Sequence, residues 1–334
     1  DSMQRHAISD VDRQQAGERL NAVKSLQPAT LRLGNDNSKQ NARAYLEALC
    51  AEVLAHHDVN AQTLVILNNV SRAQGLFQLL CRERAGKGDL LIHARFRPAE
   101  RAAQARRLRD EPDVDRIIVA TQAIEAGVDI SSRVMFTELA PWTSMVQRVG
   151  RCNRYGEHNK DGAHIFWVDI EPDKTLVLPY TDETLDAART RLAELASASP
   201  QDLPPTDEAR PLTAVLRRKD FLDLFNTDPD LSGFDVDVSD YIRDSGTPGV
   251  QVFWREFKDD PNQPEPQARP ARDELCPASI GQVTAFARRK DVTFWNWDAL
   301  DGRWSRLQRD RNPRPGMVLM ACSAHGGYDP IIGF

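Results

Sequence analysis

Five short apolar runs, separated by stretches of helical spacing, constrain this chain more than any other feature. They are TLVILNN (63–69), LLIHARF (90–96), RIIVAT (116–121), RVMFTEL (133–139) and AHIFWVDI (163–170). Continuous apolar runs of this length suit strands covered on both faces. Between them lie RAQGLFQLLC, then PAERAAQARRLR, with Pro98 at a favourable first-turn position, then TSMVQRVGRCNR (143–154). A helix is expected ahead of the first run, over Asn41 to Leu54, with Ala44, Leu46, Ala48, Leu49 and Val53 on or near one face. Strands alternating with helices predict an α/β domain with a doubly wound parallel sheet over about residues 41–175.

The flanks have a different character. Residues 1–40 read as a polar lead-in, with one helical pattern around RQQAGERLNAVKSL and a turn-rich break at LGNDNSK. Residues 176–245 read as a helical linker: YTDETLDAARTRLAELA puts Leu185, Ala188, Leu192 and Leu195 on one side, and LTAVLRRKDFLDLF is a further helix. In FDVDV, Asp235 and Asp237 alternate with Phe234, Val236 and Val238, as in a half-buried strand. Residues 246–334 read as a small β-rich domain. GVQVFWREF and PGMVLMACSA are strands, KDDPNQPEPQARPARDE is a loop, and Asp301-Gly302 between aromatic-rich runs signals a hairpin. Trp254, Trp295, Trp297 and Trp304 are expected in cores and cross-strand pairs.

A net charge of −6 excludes a general polyanion binder, so any nucleic-acid contact must use a local basic strip. Five dispersed cysteines without a C-x-x-C argue against zinc and fit a reducing cytoplasm. There is no apolar signal region at the amino terminus and no run near the roughly 20 apolar residues of a membrane span.

The chemistry concentrates in two phrases. QRVGRCNRYG (147–156) carries three arginines and a glutamine. On a continuous helix from Thr143 to Arg154, with Gln147 at the origin, Arg151 falls at about 40° and Arg154 at about 340°, while Arg148 points aside at about 100°. Gly150 would allow close approach to that helix, and Cys152 and Met145 are poor surface choices. Arginine suits bidentate phosphate binding and the charge of a transferred phosphoryl group; a solvated helix face is the plain alternative. The second phrase, IIVATQAIEAGVDIS, ends a buried strand at Thr121, turns at Gly127 and reaches Asp129. Ligands gather at the carboxyl ends of such strands. There Thr121 suits a nucleic-acid phosphate and Asp129 suits a ribose hydroxyl or a water; a plain polar turn is again the alternative.

Together these phrases resemble motifs V and VI of the second motor domain of superfamily 2 helicases, and LVILNNVSRAQ resembles motif IV. LIHARFRPAERA and the Cys-Asn insertion in GRCNRYGE resemble the CRISPR-associated helicase–nuclease of type I systems. LRRKDFLDLF and DPDLSGFDVDVSDYIRD resemble that family's region after the motor. The resemblance implies a RecA-like fold, with ATP and Mg2+ as cofactors. Its implied partners are single-stranded DNA and the guide-RNA surveillance complex, and it implies a monomeric cytoplasmic protein. It implies that Arg151 and Arg154 are arginine fingers on the γ-phosphate, with Gln147 positioning them or the attacking water. Asp129, beside Gly127, would meet the nucleotide's ribose or that water. Thr121, Gln122, Asn69, Arg72, Arg95 and Arg97 would touch the DNA backbone.

Other parts of such a machine have no match here. No G-x-x-x-x-G-K-[ST] occurs; AGKGD (85–89) lacks the hydroxyl that holds magnesium. DEAR (207–210) comes after LPPT, a loop rather than a buried strand. His57-Asp58 is a lone doublet, and the eight aspartates between Asp220 and Asp244 read as a solvated face sooner than a metal site. The chain is therefore expected to be the second motor domain with its carboxyl-terminal extension, inactive alone, with the phosphate loop and the nuclease on other segments. Two alternatives stay open: a non-catalytic nucleic-acid-binding or scaffold module, and a superfamily 2 translocase outside CRISPR.

Overall fold

In the computed structural model, residues 9–34, 39–110, 115–204, 217–225, 249–257, 267–298, 302–307 and 312–334 are described. The elements run α1 (Asp10–Gln15), α2 (Gly17–Leu20), β1 (Lys24–Leu33), α3 (Lys39–His56), β2 (Gln62–Ile66), α4 (Val70–Glu83), β3 (Leu90–Ile92), α5 (Pro98–Asp110), β4 (Arg116–Ala120), β5 (Val134–Glu138), α6 (Trp142–Val149), β6 (Ala163–Ile170), α7 (Asp182–Ala193) and α8 (Arg218–Leu224). A second set comes after them: β7 (Gly249–Arg255), β8 (Cys276–Ser279), α9 (Ile280–Ala287), β9 (Phe294–Asp298), β10 (Arg303–Arg306) and β11 (Val318–Cys322).

Among the described residues, β1 to β6 form one parallel sheet in the order β1-β6-β5-β2-β4-β3. All five residues of β4 and of β5 are buried, as continuous apolar runs demand of central strands. The buried faces of α3, α4, α6 and α7 pack with this sheet into one core, which includes Leu49, Leu64, Leu76, Phe136, Met145 and Leu185. The strand order in the sheet places β4 and β5 on either side of β2. The carboxyl ends of these three strands therefore open together, where doubly wound sheets hold ligands.

The smaller sheet has the order β10-β9-β11-β7-β8, with β11 parallel to β7 and the other pairs antiparallel. The expected hairpin is present as β9 and β10, pairing Trp297 with Trp304. Trp254, Trp295 and Trp304 are buried. β8 and α9 went unforeseen.

Two sequence expectations need correction. The helix expected to run through Lys24 stops at Leu20, and Lys24–Leu33 is instead the edge strand beside β6. Pro28 lacks an N–H, which an edge strand tolerates, and the register shifts between Pro28 and Arg32. The helix expected to reach Arg154 ends at Val149. The FDVDV strand, DEAR, most of the acidic run and the first half of the Pro-rich loop lie outside the described residues, as do residues 299–301 of the hairpin turn.

Candidate nucleotide and nucleic-acid site

α6 starts after Pro141 and buries Trp142, Met145, Arg148 and Val149, a spacing that turns one stripe to the core. Gly150 closes the helix in a right-handed conformation; a Cβ there would meet only carbonyls of the helix's own last turn. Asn153 then takes φ of 43°, and the chain leaves the helical path. Gln147 stays exposed on α6, while Arg151 and Arg154 lie on the loop beyond it. The helical projection thus does not describe how the three side chains are placed.

A loop-to-loop stitch places them instead. Ser132 N donates to Arg151 O at 3.0 Å, and Asn153 N donates to Ser132 O at 2.8 Å. This fixes the arginine loop against the loop after β4. Arg154 Nε then lies 3.3 Å from Asp129 Oδ1, and the Tyr155 hydroxyl donates to the same oxygen. Arg151 Nη2 donates to Glu125 O at 2.7 Å, while its buried Nε has no protein partner. Burial, with Arg154 adding to it, presses the Arg151 guanidinium below its usual range. Two guanidiniums with an unused buried donor fit the polyphosphate of a nucleotide. Gly127 and Asp129 line a cavity of about 700 Å³ against α5, walled by Ile92, Leu108 and Ile130. Among the described residues, no three metal-ligating side chains converge.

Arg148, set aside by the helical projection, is the centre of a buried network. Its side chain is fully buried. Nε donates to Glu125 Oε1 at 2.8 Å, Nη1 to Thr137 Oγ1 and Glu138 O, and Nη2 to Asn68 Oδ1 and the Tyr180 hydroxyl. Glu138, also fully buried, accepts both Arg72 Nε at 2.7 Å and Arg72 Nη2 at 2.8 Å, together with Asn68 N and the Tyr45 hydroxyl. Burial, then the Glu138 charge, pushes the Tyr45 phenol far above its usual range, so it donates.

The residues implied for DNA divide. Gln122, Asn69 and Arg95 line one open cavity of about 420 Å³ with Asn68 and Tyr180. Gln122 Nε2 donates to Asn68 O at 3.0 Å, and Asn69 caps α4 by accepting from Ser71 N and Arg72 N. Thr121 is buried at the end of β4 beside them. Arg72 and Arg97 are engaged within the protein. The bidentate Glu138 pair holds Arg72, because a buried carboxylate needs a cation. Arg97 stacks over Tyr328 at 4.1 Å, turned toward the smaller sheet. His57, the lone doublet's histidine, bonds Thr63 Oγ1 and Asp115 Oδ1.

The model of the family described as CRISPR-associated nuclease/helicase Cas3, C-terminal, matches residues 59–157. These residues hold β2 to β5, both loops and α6. Over this stretch the chain is similar to the Cas3 carboxyl-terminal family. The CRISPR-associated helicase Cas3 of Thermoproteus tenax is 31% identical over 134 residues, which cover 39% of this chain and 21% of that protein. The CRISPR-associated nuclease/helicase Cas3 of Haloferax volcanii is 35% identical over 86 residues, covering 25% of this chain and 9% of that one. The crystal structure of T. fusca Cas3-AMPPNP aligns with a TM-score of 0.54 over 93% of this chain and 42% of that chain, at 15% identity. That likeness speaks to the fold: a RecA-like sheet with a small β-rich unit after it. The chain spans about a fifth of the length of the Thermoproteus relative. No helix among the described residues is long and apolar enough to cross a membrane.

Proposed function

We propose that this chain is part of an ATP-dependent DNA translocase of CRISPR interference and supplies the arginine half of its nucleotide site. The observation that carries the reading is the pairing of Arg151 and Arg154 beside Asp129, with the buried Arg151 Nε lacking a partner. The nucleotide sits against a first motor domain, which brings the phosphate loop and magnesium. Arg151 leaves Glu125 O for the γ-phosphate and, with Arg154, stabilises the charge of the transferred phosphoryl group. Asp129 holds the ribose, and Gln147 orients the attacking water. Nucleotide closure moves the loop after β4, and with it the cavity of Gln122, Asn69 and Arg95. This loop, Thr121 included, grips the backbone of a single DNA strand. The relatives' names, CRISPR-associated helicase and CRISPR-associated nuclease/helicase, support the CRISPR setting; the substrate proposed within it is a strand displaced by a guide-RNA surveillance complex. We place the motor between β1 and the end of α7, the linker after it and the β-rich domain from β7 onward. By itself the chain hydrolyses no ATP.

In the full-length protein with both motor domains, Arg151→Ala and Arg154→Ala are each expected to lower DNA-stimulated ATP hydrolysis by about 10³-fold. Hydrolysis at wild-type rates in either variant sinks the assignment of that arginine.

A further inference from the structure

The segment before the sheet reaches the nucleotide site from a direction the motifs do not show. α2 and the start of β1 are fastened to the end of α6 and the loop after it at several points. Lys24 Nζ donates to Val149 O at 3.1 Å, Asn153 Nδ2 to Val23 O at 3.1 Å, Asn159 Nδ2 to Glu18 O at 3.0 Å, and Val23 N to Asn159 Oδ1 at 2.9 Å. Gly156 has φ of +84°, and a Cβ there would stand 2.6 Å from Glu18 O. The two backbones can touch because residue 156 has no side chain. These ties hold Arg19 over the Tyr155 ring, with Cζ 5.0 Å from the ring centroid; Arg154 Cζ is 5.7 Å from the same centroid. The Tyr155 hydroxyl donates to Asp129 Oδ1, and that bond raises the phenol's pKa, so Tyr155 keeps its proton at neutral pH.

We propose that Arg19 and Tyr155 are positioning residues of the nucleotide site: Tyr155 aims Asp129 at the ribose, and Arg19 holds the Tyr155 ring. The proposal rests on the proposed function, in which Asp129 takes a ribose hydroxyl. A hydrogen bond to a carboxylate is the stronger restraint, of the order of a tenfold effect. An exposed cation–π contact contributes about two- to fivefold. Both act on binding of the ribose, in the ground state and the transition state alike, so KM should move and kcat should not.

The test uses the full-length protein with saturating single-stranded DNA, and ATP, 2′-deoxy-ATP and 3′-deoxy-ATP as substrates. Tyr155→Phe is expected to raise KM for ATP about tenfold and to narrow the preference for ATP over whichever deoxy analogue lacks the hydroxyl that Asp129 reads. Arg19→Ala should do the same by about two- to fivefold, and Arg19→Lys should restore part of it. The proposal is overturned if both variants keep wild-type KM and preference while Arg151→Ala loses hydrolysis. Equal losses on all three nucleotides with a lowered melting temperature also overturn it, as does a wild type that does not distinguish them. If Arg151→Ala keeps wild-type hydrolysis, the reading of the site itself has failed, and the two failures are thereby told apart.

Discussion

Arg148 shows what one buried cation does in this fold. Its guanidinium joins the ends of β2 and β5, the loop after β4 and the segment before α7 through Asn68, Thr137, Glu138, Glu125 and Tyr180. Removing it leaves the Glu125 carboxylate without its cation and several buried acceptors without a donor. Arg148→Ala should cost about 3–5 kcal/mol of stability in urea unfolding; a loss below about 1 kcal/mol, the size of an exposed pair, contradicts the network. Its role was not legible in the sequence, because its partners lie up to 80 positions away. Arg151 and Arg154 were legible as a pair, since their phrase itself resembles a known motif. The helical projection that aligned them was wrong, because Gly150 and the positive φ of Asn153 end the helix first.

Among the elements, the central strands and the β3 edge were readable and the β1 edge was not. β2, β4, β5 and β6 announce themselves as apolar runs because both of their faces are covered. β1 has one neighbour, contains Pro28, and alternates irregularly between exposed and buried positions, so its pattern resembles a polar lead-in. Just before it, α2 meets the arginine loop by the close approach of Glu18 and Gly156. Gly156→Ala combines a disfavoured left-handed residue with a clash against backbone, and is expected to cost about 1–3 kcal/mol. Hydrogen exchange checks it: amides of residues 16–24 and 151–159 should lose protection together, and unchanged exchange in the first segment would show that the two are not coupled. The residues that the resemblance implies for DNA fall into two groups. Gln122, Asn69 and Arg95 share a cavity, whereas Arg72 and Arg97 are drawn inward by Glu138 and Tyr328, partners remote in sequence.

Over the whole molecule, the two sheets meet at His93. Its Nε2 donates to Ile332 O at 2.9 Å while Nδ1 accepts from Arg95 N at 3.1 Å, so the ring is the neutral Nε2–H tautomer. Gln74 Nε2 donates to Ile332 O at 3.0 Å, and Phe334 N donates to Arg95 O at 3.1 Å, completing the contact. Burial depresses the His93 pKa from 6.5 to about 4. Above pH 6.5 the ring is neutral whether the chain is folded or not. Between pH 6.5 and 4 the unfolded chain takes a proton that the folded one refuses, so stability falls as the pH drops, by about 3 kcal/mol at most. His57, also depressed by burial, acts in the same direction. The difference between wild type and His93→Gln isolates His93: the variant's stability should fall less over this window, and parallel curves would contradict the assignment. Above all, this chain is proposed to bring its arginines to an ATP site shared with another motor domain. Single-turnover hydrolysis by the full-length protein at saturating ATP separates chemistry from binding. Arg151→Ala is expected to slow the chemical step by about 10³-fold while ATP affinity changes far less. A chemical step at the wild-type rate would contradict the shared site.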